Sequence, residues 1–181
     1  MKYFKTIALL SVFVAATSLT HAADKPKDTC PEKCPIPKVA TSASFDLIKS
    51  LAGTWKGTWV ENGKKEPMKV VFKVTSGGTA VEETIFPGTP KEMISMYTLD
   101  DGKVKLTHYC MIGNQPNMLQ TKAEKNSVQL DFVKTKGINP KKDMFMSGIL
   151  LVKKDEHHLT YSGSGMMKGK PMPHNPIELT R

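Results

Sequence analysis

The chain has 181 residues, 39% of them hydrophobic and 7% aromatic, with 26 basic against 17 acidic side chains and a formal charge of +9. That length suits one domain with a full core, and no shift in composition divides it into two. The lysines alternate with apolar residues, as in Met68-Lys69-Val70 and Val104-Lys105-Leu106, which is the pattern of a wet sheet face; with so few stacking aromatics, this argues against nucleic-acid binding.

In chain order, Lys2 and Lys5 precede an apolar run from Ile7 to Ala16, and small residues surround Thr20-His21-Ala22. This pattern predicts a signal peptide over 1–22, cleaved near Ala22, and a periplasmic or secreted product. The run is shorter than the ~20 residues that cross a bilayer, so no stable membrane insertion is expected. Losing Lys2 and Lys5 lowers the charge by two and leaves a basic chain, compatible with weak attraction to an anionic membrane surface. Cys30 follows Lys27-Asp28-Thr29, which is no lipid-attachment sequence.

Residues 23–43 carry Pro26, Pro31, Pro35 and Pro37 without apolar periodicity and read as a disordered leader rich in proline and lysine. Cys30 and Cys34 sit in it, while Cys110 lies far along the chain. Three cysteines leave at least one unpaired in the monomer. A Cys30–Cys34 bridge and a bridge from either to Cys110 both remain open, and the pair also has the chemistry to hold Cu(I).

Ser44 is the expected N-cap of a short helix whose Phe45, Ile48 and Leu51 or Ala52 recur at helical spacing before Gly53. So short a helix needs a larger body to pack on. From Thr54 the period changes to alternation. Strands are expected over 54–61, 67–75, 80–86, 93–99, 103–111, 117–123, 127–134, 144–153, 157–163 and 175–181. Turn signals fall at Asn62-Gly63, Ser76-Gly77-Gly78, Asp101-Gly102 and Glu124-Lys125-Asn126. Ten strands joined mainly by hairpins describe an all-β, up-and-down antiparallel barrel over 44–181, with the helix as a plug at one end. A barrel of about ten strands is wide enough for an interior cavity.

The short helix, Gly53-Thr54-Trp55, the ten-strand meander and Arg181 together resemble the calycin superfamily, which includes lipocalins, fatty-acid-binding proteins and haem-binding nitrobindins. The resemblance implies that Trp55 and Arg181 pack together at the closed end, a cation-π contact worth ~0.5–2 kcal/mol. The stretch from Thr84 to Met118 is similar to exported bacterial lipocalin-like proteins, which implies a fold and no defined activity. Nitrobindins bind haem through a His close to the last strand, and His174 stands in a similar place. This sequence departs from their Gly-x-Trp-x-Gly-x-Gly by having Trp59 after Gly57, and prolines flank His174.

Alternation places Val104, Leu106, His108 and Cys110 on one strand face, taken as the inner one. Together with Tyr97, Met118 and Met146 they are the candidate ligand-binding wall, with Asn114 and Gln115 at the rim offering amides to a ligand or to their own turn. His108, Cys110, Met118, Met144 and Met146 also have the residue types of a His-thiolate-thioether copper set, although methionine more often fills apolar space and no tight ligand spacing supports the metal. Of the adjacent Glu82 and Glu83, one is expected in solvent and one paired at the barrel mouth, because a buried carboxylate needs a Lys, Tyr or ligand amine. His157-His158 reads as a solvated turn. No catalytic Ser/His/Asp, phosphate-loop or zinc-helix motif is present, and His108 and Cys110 at i and i+2 lie ~7 Å apart. The expectation is a non-enzymatic carrier of a small, partly apolar molecule. The alternatives are a haem or copper protein, or a structural barrel filled by its own side chains.

Overall fold

A computed structural model describes residues 38–61, 63–173 and 176–181. The expected signal peptide, the leader as far as residue 37 with Cys30 and Cys34, and His174 lie outside these residues. The helix α1 (Ala43–Ser50) starts from Ser42 and not from Ser44. Ser42 is extended, and its Oγ accepts from the Phe45 N–H at 3.3 Å, whereas Ser44 already lies inside the first turn. Phe45, Ile48 and Leu51 are fully buried, as their spacing requires.

Nine strands follow as successive antiparallel neighbours: β1 (Gly53–Glu61), β2 (Lys64–Thr75), β3 (Ala80–Ile85), β4 (Met93–Asp100), β5 (Lys103–Tyr109), β6 (Asn117–Glu124), β7 (Ser127–Val133), β8 (Met144–Lys153) and β9 (His158–Met167). Asp101-Gly102 makes the tight β4–β5 turn with two left-handed residues, φ 48° and 75°. After β9 come β10 (Lys170–Pro173) and β11 (Ile177–Thr180), both paired to the same side of β9. End to end they fill one position, and β11 meets β1 at Lys56 and Thr180, so the barrel closes with ten positions around its ring.

The alternation pattern had missed β10. β9 runs past its expected end and reverses at Lys168-Gly169, both left-handed, and Pro171 and Pro173 then disguise the returning strand because they lack ladder N–H groups. Ring closure rests on Gly57, where a Cβ would lie 2.6 Å from both the Glu178 carbonyl oxygen and Leu179 Cδ2. Only glycine lets the first and last strands come this close.

At the closed end Trp55 Nε1 donates to the Leu51 carbonyl at 2.7 Å, tying α1 to β1. The Arg181 guanidinium lies 4.4 Å from the Trp55 ring centroid, as the resemblance implied, and Nη1 donates to the Ala52 carbonyl at 2.8 Å. Among the described residues no helix is long and apolar enough to cross a membrane.

Candidate functional site

Alternation decides which side chains face inward, and strand register decides at what height. Phe72 pairs with Glu83, Glu83 with Ser95, and Ser95 with His108, so these four inward residues form one row across β2 to β5. On the helix side the next row is Val81, Tyr97, Leu106 and Met118, all fully buried in the packed core. On the other side the row through Ile85 and Met93 faces a cavity of about 300 Å³. The interior is therefore filled in its lower half and hollow in its upper half, with a polar row at the boundary.

The cavity wall is apolar. Met68, Met93, Met111, Met144, Met146 and Met172 line it, six of the chain's 11 methionines, and Trp59, Phe86 and Phe145 add aromatic area. Gly163 and Gly165 of β9 leave the space open on one side. No lining residue carries an Asp, Glu, Lys or Arg side chain. Thioethers on unbranched, flexible chains suit a ligand of loosely defined shape. The loop between β5 and β6 covers the mouth with Met111 and Ile112.

The boundary row is polar and buried. Tyr97 Oη donates to Glu83 Oε2 at 3.0 Å, and Ser95 Oγ lies 3.0 Å from His108 Nδ1. Burial pushes the Glu83 carboxyl up to about 7, against the hydrogen-bonding influence of Ser95, Tyr161 and Tyr97. Burial also pulls His108 down to about 4, so its imidazole is neutral at neutral pH. Desolvation first, and then the Glu83 charge, hold the Tyr97 and Tyr161 phenols well above their ordinary value. Tyr161 reaches the cavity floor from β9. Its hydroxyl is near enough to Glu83 to oppose the upward shift, yet Tyr161 Oη and Glu83 Oε1 are buried without a well-formed hydrogen bond.

Of the residues singled out by sequence, His108, Cys110 and Met146 line the cavity. Cys110 is a free thiol with its Sγ 3.9 Å from Met93 Sδ. Tyr97 and Met118 also point inward, but they sit one row below, in the filled half, so neither lines the cavity. Asn114 and Gln115 hold the loop instead of facing the cavity: Asn114 Nδ2 donates to the Met144 carbonyl at 2.7 Å, and Gln115 Nε2 to its own turn at Gly113. Glu83 is the inward member of its pair, as alternation allowed, but it is buried mid-barrel against Tyr97 and not at the mouth.

His158 is exposed, with Nδ1 2.9 Å from Asp155 in the β8–β9 turn. Sequence reasoning missed Tyr161, Met68, Met93 and Met172. For Tyr161 a signal existed, since it alternates with Leu159 and Gly163 on β9. Among the described residues no group of three or more His, Cys, Asp or Glu side chains is placed to hold a metal.

The fold defines the class, a closed ten-strand antiparallel barrel compatible with calycin architecture, with one plugged end and one hollow end. No protein-family model matches the chain, and no curated protein matches it in sequence.

Proposed function

We propose that this protein is a periplasmic or secreted carrier that holds a small, largely apolar molecule in the upper half of its barrel and performs no catalysis. The observation that carries the reading is the methionine-walled cavity of about 300 Å³. A void of that size lined by thioethers and aromatic rings forfeits dispersion contacts unless something fills it, and its volume falls at the lower end of small-molecule sites. The Cys110 thiol rests 3.9 Å from the Met93 sulfur, an apolar neighbour and no base, which supports a binding role over a thiol nucleophile.

Native mass spectrometry of protein recovered from the exporting host tests this. An organic adduct that is lost on denaturation, and absent from a Gly163→Leu chain, is the expected result. Gly163 is suited to the blocking change because a Cβ there meets nothing closer than Met146 Cε at 3.9 Å. A bare chain that also fails to take up a neutral hydrophobic dye would refute the carrier.

One observation favours a second reading, a soft-metal protein. The 3.9 Å separation of Cys110 Sγ and Met93 Sδ suits two sulfur ligands on one trigonal Cu(I), at metal–sulfur lengths of roughly 2.3 Å. Stoichiometric copper surviving in a Cys30→Ser, Cys34→Ser chain and lost on Cys110→Ser would support it. Copper that follows Cys30 and Cys34 alone would sink it.

A further inference from the structure

The cavity floor differs from its walls. Tyr161 is almost fully buried, lines the cavity and has a hydroxyl near Glu83 without a well-formed hydrogen bond. Beside it at the floor is His108, whose Nδ1 is taken by Ser95, leaving Nε2 as the ring nitrogen for a ligand. In the same row as His108, outside the cavity wall, stands Glu83, with Oε2 accepting from Tyr97 and Oε1 without a well-formed bond. A row of buried polar groups in a barrel costs stability relative to an apolar row, and a hydroxyl beside it without a well-formed bond costs more. Water or a ligand group reaching the floor would complete it.

The same row defines which polar group fits. The available partners are a phenol, a neutral imidazole and, outside the cavity wall, an acid; no Lys or Arg lines the cavity to balance an anion. A carboxylate placed here would lose its hydration, gain no cation and face Glu83. An alcohol or amine would share a hydrogen bond with the floor and keep its alkyl part among the methionines.

Resting on the carrier reading above, we infer that the cavity takes an apolar molecule head first, its single polar end a non-anionic, hydrogen-bonding group held at Tyr161 and His108, and that it discriminates against carboxylates. The carrier is thus of the alcohol or amine type and unlike a fatty-acid carrier.

The test is displacement of the neutral dye N-phenylnaphthylamine from the full mature chain by decanol, decylamine and decanoate, at a pH above the Glu83 value of about 7. Decanol and decylamine are expected to displace the dye at concentrations about tenfold or more below decanoate. Nonspecific attraction to this basic chain would favour decanoate, the opposite order. Tyr161→Phe removes a hydroxyl that makes no well-formed hydrogen bond in the protein. It should weaken decanol about five- to tenfold while leaving the dye affinity unchanged.

Decanoate displacing the dye as well as decanol overturns the inference and leaves the carrier reading standing. A Tyr161→Phe chain with unaltered decanol affinity overturns the floor as the head site. If neither the dye nor any decyl compound binds, the carrier reading falls and this one with it.

Discussion

Glu83→Gln should change how stability depends on pH. In the folded chain Glu83 titrates at about 7 against an ordinary 4.5, so between these values the native state binds a proton that the unfolded state does not. Its contribution is full below 4.5 and is lost as pH rises through 7, a loss of about 3 kcal/mol. His108 has the opposite sign. It titrates at about 4 against 6.5, so its contribution is full above 6.5 and is lost, again by about 3 kcal/mol, as pH falls through 4. Over the shared window from 4.5 to 6.5 the two slopes nearly cancel. Removing one exposes the other.

Urea denaturation followed by Trp55 and Trp59 fluorescence across that window measures the slopes directly. Relative to the parent, Glu83→Gln should gain nothing at the acid end and about 3 kcal/mol by neutral pH. His108→Asn, which keeps a partner for Ser95, should steepen the loss of stability with rising pH. Exposed carboxylates such as Asp46 and Asp155 contribute equally to parent and variants and drop out of the difference. Difference curves that stay flat with pH would refute the assignment of Glu83 and His108 as a buried neutral pair.

Three other outcomes are expected. Gly57→Ala should destabilise the barrel by about 2–3 kcal/mol in thermal or urea melts, because the new Cβ would meet the Glu178 carbonyl oxygen at 2.6 Å, while Gly163→Ala, with its nearest neighbour at 3.9 Å, should cost under about 1 kcal/mol. Arg181→Ala removes the cation over Trp55 and the bond to the Ala52 carbonyl; a loss of about 1–2 kcal/mol and a change in Trp55 emission are expected in the same melts. Asn114→Ala frees the loop over the mouth from the Met144 carbonyl, so stopped-flow dye release should quicken several-fold with little change in melting temperature.

The fold was legible because period-two alternation and left-handed turns such as Asp101-Gly102 are local signals, and most strand limits follow from them. The closed end was legible through the positions of Trp55 and Arg181. The site was legible only in part, since alternation reports whether a side chain faces inward and not how far up the barrel it sits. His108 and Met118 are both inward on neighbouring strands, yet register puts His108 at the cavity floor and Met118 in the solid core. For Glu82 and Glu83 the local pattern fixed neither the orientation nor the partner, because Tyr97 and Tyr161 come from other strands. The methionine wall draws on β2, β4, β8, β10 and the mouth loop, and no local spacing links residues so far apart.

Because the first strand of the ring is completed by the last, order in time matters as well as order in space. Until 177–181 are available, β1 and β9 are bare edges, ready to pair with another chain. The meander from β1 to β9 accumulates hairpin by hairpin from local pairings, but joining Lys56 to Thr180 is a long-range step that must come late and sets a slow pace. Arg181, gripping Ala52 across the whole length of the barrel sequence, belongs to that same late closing step. A barrel without β11 would be an open sheet, prone to aggregate and not merely a weaker barrel.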